Sequence, residues 1–301
     1  MRAVVTGGAG FIGSHVVDAL LARGDEVHVL DDLSSGSREQ VPAGARLHEG
    51  DIRRDAERVF DEARPEVAFH LAAQKDVRSS VERPEHDADV NIVGTLQVLE
   101  AARSHRTKVV FSSTGGAIYG ECNGPAAEDH PREPLSPYGV SKLAGEEYLA
   151  AWNRLYGAGH VSLRLGNVYG PRQDPHGEAG VVAIFMSLLR EGDTPKIYGD
   201  GTQTRDYVYI ADVVSATLAA ADQDGGVFNV GTSTETSVLD LYERVQQAAG
   251  VQRPPEFAPP RPGELQRSVL DVSRAKRGLG WNPEHSLDEG LAETWAFISA
   301  P

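Results

Sequence analysis

The chain has 301 residues, a net charge of -15 and 40% hydrophobic residues. That length buries a substantial core, as one large domain or two coupled ones. The charge argues against nucleic acid and anionic membrane as partners, since both are anionic. Cys122 is the single cysteine, so no internal disulfide can form and a reducing compartment is expected. The opening MRAVVTGGAGFIG reads as a strand running into a turn and lacks the h-region of a signal peptide. No apolar run reaches bilayer length, and a soluble cytoplasmic protein is the expectation.

In chain order, RAVVTG (2–7), EVHVLDD (26–32), ARLHEGD (45–51), VAFHLAA (67–73), KVVFSST (108–114) and HVSLRLGN (160–167) read as strands. FIGSHVVDALLARG, VNIVGTLQVLEAARSH and SKLAGEEYLAAWNRLYG read as helices between them. Near-continuous apolar strands alternating with helices predict an α/β fold, a doubly wound parallel (Rossmann) sheet over residues 1–167. From 168 onward Pro and Gly punctuate the chain. Short strands (KIYG, YVYI, VFNVG) and helices near 180–191, 211–222, 237–249 and 286–298 predict a smaller mixed α/β lobe over 168–301. Some interleaving of the two parts is expected, with the lobe at the sheet's carboxyl edge, where ligands sit in open α/β sheets.

TGGAGFIG sets Gly7, Gly10 and Gly13 between the first strand and the first helix. Glycines there allow a tight turn, close approach of a pyrophosphate to backbone N–H groups, and close helix–strand packing. The helix N-terminus adds a favourable dipole. Asp31 ends the second strand, where a carboxylate accepts from adenosine ribose hydroxyls and repels a 2′-phosphate. Asp32 adds a second negative charge, so NAD is expected over NADP; Arg38, in SSGSR, is the one nearby cation set against this. Asp51 and Ile52, in GDI, suit the edge and face of adenine, and equally a capping aspartate before a helix.

SPYGVSK places Tyr138 and Lys142 four residues apart, on one face of a helix opening near Pro137. Upstream, Ser112, Ser113 and Thr114 end a strand and present hydroxyls to the same crevice. A tyrosine with a pKa near ~10 is a poor base at neutral pH. Beside an ammonium and a positive nicotinamide its phenolate would be stabilised.

With TGGAGFIGSH, HLAA, VNIVGT, PYGVSK, RLGNVYGPRQ, YGDGTQTRDYVYIADV and RPGELQRSVLD in this order, the chain resembles the extended short-chain dehydrogenases/reductases. Within them it is similar to the nucleotide-sugar 4-epimerases of the UDP-glucose (UDP-galactose) type. The resemblance implies Thr114, Tyr138 and Lys142 as the catalytic set, with Ser113 an open alternative to Thr114 because STGGAIYG carries an extra glycine. It implies a cofactor site of Gly7, Gly10, Phe11, Ile12, Gly13, Asp31, Asp32, Ser35, Gly36, Asp51, Ile52, Leu71, Ala72, Ala73 and Ser112. Lys75 and Asn91 would lie by the pyrophosphate and nicotinamide, and Lys142 on the nicotinamide ribose. For a UDP-sugar it implies Thr114, Asn167 and Glu264, with Val181, Val182, Lys196, Ile197 and Tyr198 around uridine. Arg205 and Arg261 would clamp the diphosphate, as guanidinium forks suit phosphate oxygens. A homodimer through two helices per subunit is also implied.

The implied reaction is oxidation at C4, rotation of the 4-keto sugar and reduction on its other face. Sugar 4,6-dehydration needs an acid and a base directly after the catalytic hydroxyl, and Gly115, Gly116 and Ala117 supply neither. Epimerisation or decarboxylation of a UDP-glucuronate stays open, as does a non-catalytic nucleotide sensor. Ser268 is expected to leave room near C2 of the sugar. No metal spacing is seen among the ten histidines, and His15, Cys122, Trp152, Trp281 and Trp295 read as structural.

Overall fold

In the computed structural model of the chain, residues 1–176, 180–260 and 265–300 are described. The first half lays down β1 (Arg2–Thr6), α1 (Phe11–Ala22), β2 (Glu26–Asp31), β3 (Arg46–Glu49), α2 (Ile52–Ala63) and β4 (Val67–His70). Then come α3 (Val77–Glu82), α4 (Pro84–Ala88), α5 (Gly94–His105), β5 (Lys108–Thr114), α6 (Gly115–Ile118), α7 (Pro137–Tyr156) and β6 (Val161–Leu165). The second half adds β7 (Asn167–Tyr169), α8 (Val181–Glu191), β8 (Lys196–Tyr198), β9 (Thr204–Arg205), β10 (Tyr207–Tyr209), α9 (Ile210–Ala221) and β11 (Gly226–Val230). It closes with β12 (Thr236–Ser237), α10 (Val238–Ala249), β13 (Glu256–Ala258), β14 (Arg267–Ser268), α11 (Ser273–Gly278) and α12 (Leu287–Ser299).

The large sheet runs β11-β6-β5-β4-β1-β2-β3, every pair parallel. Its faces follow the two-residue period of a strand. Val4, Leu30, Ala68, Val109 and Phe111 pack under α2 and α5, while Ala3, Val5, Val29, Phe69 and Val110 pack under α1 and α9. Both faces are covered, which is why these strands read as continuous apolar runs. Strand order reverses between β1 and β4, opening a crevice at their carboxyl ends.

Beyond position 168, Gly226–Val230 hydrogen-bonds into this sheet as β11 beside β6, and α9 packs against α1. The rest of the second half forms short ladders, β10-β7, β12-β9-β14 and β13-β8, with α8, α10 and α12 packed together. Helix α2 is the helix that a capping Asp51 would precede. Asp51 caps it, accepting from Arg53 N at 2.9 Å, and Arg64 at its far end takes the left-handed conformation at φ 47°. Among the described residues no helix is long and apolar enough to cross a membrane.

Of the four buried histidines among the described residues, His70 and His160 are the most deeply enclosed. His70 sits between Thr6 Oγ (2.7 Å) and Thr95 Oγ (3.0 Å), and burial lowers its pKa to about 3. His160 accepts from Val109 N at 3.0 Å, and burial lowers its pKa to about 4. Both pKa values fall on folding, so the unfolded chain binds more protons below pH 6.5, the ordinary value. Unfolding free energy from urea titrations is expected to drop between pH 6.5 and 4.5 by about 1.4 kcal/mol per pH unit for each histidine. His160→Gln should remove about half of that slope.

Candidate active site

The turn after β1 shows why glycines stand where they do. Gly7 has φ 71°, and a Cβ on it would lie 2.6 Å from Ala72 N, where the chain after β4 crosses the crevice. A Cβ on Gly13 would come 2.0 Å from Gly7 O, so α1 seats directly on the turn. Gly10 is different: it begins α1 with no side-chain cap, and its Cβ would approach only Gly7 O, at 3.3 Å. The first-turn N–H groups of Phe11, Ile12 and Gly13 and the positive end of the helix are therefore left for an anion.

Asp31 is buried at the end of β2, and burial raises its pKa. One carboxylate oxygen accepts from Ala9 N and the other from Leu33 N, each at 2.9 Å. Asp32 faces solvent and takes Ser34 N (3.0 Å) and Ser34 Oγ (2.6 Å). Gly36 approaches Ala9 so closely that a Cβ would sit 2.7 Å from its carbonyl carbon, with exposed Ser35 beside it. Arg38 pairs with Glu49, which takes the one opposing cation away from the ribose end. Leu71, Ala72 and Ala73 follow β4 half-buried at the crevice, and Lys75 is exposed. This set suits NAD: an open phosphate cradle, a fixed ribose carboxylate and, among the described residues, no free local cation for a 2′-phosphate.

Several expected cofactor residues are engaged elsewhere. Asp51 is bound by Arg53 through its backbone N–H and its guanidinium and caps α2. Ile52 is buried against Gly94. Asn91, displayed by a π-type turn over Asp89–Val93, commits its amide to the protein. Its Oδ1 accepts from Gln74 N (2.9 Å), and its Nδ2 donates to Gln74 O (2.9 Å), Asp87 Oδ1 (3.0 Å) and Ser141 Oγ (3.1 Å).

The end of β5 meets the start of α7 beside this cradle. Ser136 caps α7, accepting from Gly139 N at 3.2 Å, and Pro137 pre-sets its first turn. Tyr138, Lys142 and Glu146 then recur one turn apart on the face towards β5. Lys142 Nζ donates to Ser112 O at 2.9 Å and lies 4.8 Å from the Phe111 ring centre. Burial lowers its pKa to about 8, against the pull of Asp87 and Glu146.

The strand's alternation sorts the hydroxyls. Ser113 Oγ donates to Glu146, which is locked to buried Arg164 by hydrogen bonds of 2.6–3.1 Å. The Thr114 hydroxyl lies close enough to the Tyr138 phenol to act on its pKa. Of the two candidates, Thr114 alone joins the tyrosine. The phenol runs opposite to the expected direction: burial, reinforced by Asp87, pushes its pKa up to about 12, with only Thr114 opposing. Unliganded, Tyr138 is a proton holder.

The expected substrate residues are more scattered. Asn167 opens β7, its N–H donating to Asp206 O at 2.7 Å. Val182 and Ile197 are core residues, each 1% exposed, and serve as backing rather than open surface. Val181 and Tyr198 are half-buried beside them, and exposed Lys196 approaches Glu256 at 3.8 Å. Arg205 donates to Thr204 O at 2.8 Å. The acid beside it, Asp206, is buried and accepts from Thr232 N and Oγ, Ser233 N and Leu270 N. Arg261 and Glu264 lie outside the described residues.

Two features went unread in the sequence. Asp87 stands one helical turn before Asn91, and that spacing was the available signal; its buried carboxylate also takes Gln74 Nε2 at 3.1 Å. His15 donates to Pro171 O at 3.0 Å and Asp18 pairs with Arg172 at 2.7 Å, tying α1 to the chain after β7. Glu57, Asp61 and His105 also converge, despite the absence of metal spacing in the sequence. Arg64 meets His105 Nδ1 at 3.1 Å and Asp61 at 3.3 Å, while His105 Nε2 faces Asp61 at 3.3 Å and Glu57 at 4.0 Å.

A model of the NAD dependent epimerase/dehydratase family matches residues 3–231. The UDP-glucose 4-epimerase of Mycolicibacterium smegmatis is 49% identical over 308 residues, spanning 99% of this chain and 98% of that protein. The crystal structure of UDP-glucose 4-epimerase from Thermotoga maritima with UDP-glucose superposes with a TM-score of 0.97 at 47% identity, over 99% of this chain and 98% of that one. That of the Thermus thermophilus UDP-glucose 4-epimerase in complex with NAD gives 0.93 at 48% identity, over 99% of each chain. The chain belongs to the NAD dependent epimerase/dehydratase family and is of its UDP-glucose 4-epimerase type.

Proposed function

We propose that this protein is an NAD-dependent UDP-sugar 4-epimerase acting on UDP-glucose and UDP-galactose. The observation that carries the reading is the meeting of Thr114 and Tyr138 with buried Lys142 beside the open cradle of α1. NAD, when bound, takes hydride from C4 of the sugar and later returns it to the other face. The chain's own part is to hold both nucleotides, align the C4 hydroxyl and move one proton. Tyr138 takes that proton and gives it back, so nothing is lost to solvent over a cycle. Thr114 orients the hydroxyl, and Lys142 supplies positive charge behind the phenol and a donor for the nicotinamide ribose. Phe11, Ile12 and Gly13 offer N–H groups to the pyrophosphate, and Asp31 takes the adenosine ribose. Asn167, Arg205 and Arg261 hold the sugar nucleotide by its diphosphate, so binding energy remote from C4 retains the ketone. Gly115, Gly116 and Ala117 offer no proton-transfer group, which sets 4,6-dehydration aside.

A homodimer and a cytoplasmic location form part of the proposal. The dimer is supported by an aromatic stripe on α7, where Tyr148 and Tyr156 are 37% and 54% exposed. Tyr148, Trp152 and Tyr156 stack edge-to-face along it, at 6.0 and 5.9 Å. The wild-type chain should run as a dimer by light scattering and Tyr148→Glu as a monomer; an unchanged mass in the variant would remove α7 from the interface.

Denatured wild-type protein should release NAD, and UDP-glucose should convert to UDP-galactose without added cofactor. Tyr138→Phe is expected to lower kcat by about 10²–10⁴-fold with NAD retained, and wild-type turnover in that variant would take Tyr138 out of the chemistry.

Asp87 raises the pKa of both Lys142 and Tyr138. It is faced by Lys142 and Ser141 from α7, by Gln74 and Asn91, and by His86 on its own helix. Asp87→Asn should therefore move both limbs of the kcat–pH profile to lower pH together. A profile that fell in height without moving would show a purely structural role.

A further inference from the structure

Two glycines follow Thr114, and they are glycine for different reasons. A Cβ on Gly115 would lie 2.6 Å from the Leu270 methyl groups, so packing leaves no room there. A Cβ on Gly116 would meet nothing among the described residues nearer than 3.6 Å. The first atoms in its way are Asn167 Oδ1 at 3.6 Å, Ser268 Oγ at 3.9 Å and Thr114 Oγ at 4.0 Å. Backbone conformation does not require glycine at 116 either, because the residue lies in α6 and is not among those with positive φ. In a helix alanine would be favoured over glycine there. The chain thus carries a locally unfavourable residue with neither a steric nor a conformational cause, and the space it leaves is rimmed by three side-chain oxygens. One of them, on Thr114, is near enough to the Tyr138 phenol to oppose the rise in its pKa. Another belongs to Ser268, a small residue on the far wall.

We propose that Gly116 is a clearance residue for the epimerisation, its missing side chain leaving the volume between Thr114, Asn167 and Ser268 through which the 4-keto sugar turns from one face to the other. The inference rests on the 4-epimerase reading. Oxidation at C4 needs the sugar in one pose beside Tyr138. Epimerisation needs that pose and its reverse, with a sweep of the ring between them. A side chain at 116 would leave the first pose and the nucleotide contacts intact while standing in the path of the turn.

The test separates the two halves of the cycle in Gly116→Ala and Gly116→Val holoenzymes given UDP-glucose. Near-ultraviolet absorbance of the reduced cofactor reports oxidation, which precedes the turn; chromatography of UDP-galactose reports the whole cycle. Oxidation is expected at the wild-type rate, while epimer formation falls by roughly tenfold in the alanine variant and further in the valine variant. The UDP-glucose Kd by calorimetry should be unchanged, and the alanine variant should melt no lower than wild type. Equal losses in both phases would overturn the inference, because they would make Gly116 a support for Thr114. Wild-type epimer formation in Gly116→Val would overturn it directly. Should the wild-type enzyme neither reduce its cofactor nor form the epimer, the 4-epimerase reading itself fails, and this inference with it.

Discussion

A buried ammonium at the end of β5 is the constraint around which the centre of this molecule is arranged. Lys142 gives up most of its water for one carbonyl, Ser112 O, and an aromatic face. Charge removed from water must be offset by nearby charge and hydrogen bonds. Two anions provide the offset from different directions, Asp87 on α4 and Glu146 one turn farther along α7. Neither is free to collapse onto the ammonium: Asp87 is held by Gln74 and Asn91, and Glu146 by Arg164 and Ser113. Lys142 therefore stays charged yet available to a ligand.

The same arrangement explains why the phenol is quiet until it is needed. Burial and Asp87 push the Tyr138 pKa up, so the resting site does not hold a reactive phenolate. Positive charge added in the crevice would act against that balance and favour the phenolate. A site tuned by Lys142 alone would have left a basic phenolate facing water.

Much of this was legible in the sequence where periodicity and turn chemistry are local. The helices expected near 180–191, 237–249 and 286–298 lie within about a residue of α8, α10 and α12. The glycine array, Asp31, Tyr138 and Lys142 occupy the places their spacing implies. What escaped was decided by tertiary partners. VFNVG is a short apolar run that suits a lobe strand as well as the edge of a large parallel sheet, and only its pairing with β6 distinguishes them. Ser113 and Thr114 are chemically interchangeable in sequence; the buried Arg164–Glu146 pair claims one and leaves the other. The resemblance sets Val182 and Ile197 around uridine, and in the fold both side chains are buried in the core.

The buried Arg164–Glu146 pair also bears on why polar groups occupy the interior behind β5 at all. Apolar residues of similar volume would fill the space between β5, β6 and α7 at no loss of stability, and often with a gain. They would not hold Ser113 by its hydroxyl, nor link Tyr119 and the backbone of Glu128 to the same guanidinium. Tyr119 in turn bonds Asn229 on β11, whose amide reaches Ala126 O and Asp271 O. One guanidinium thus connects the end of β5, the far end of α6 and, through Asn229, the chain that follows Ser268. These are the walls around Gly116, and a sugar that must be free to turn needs walls that do not.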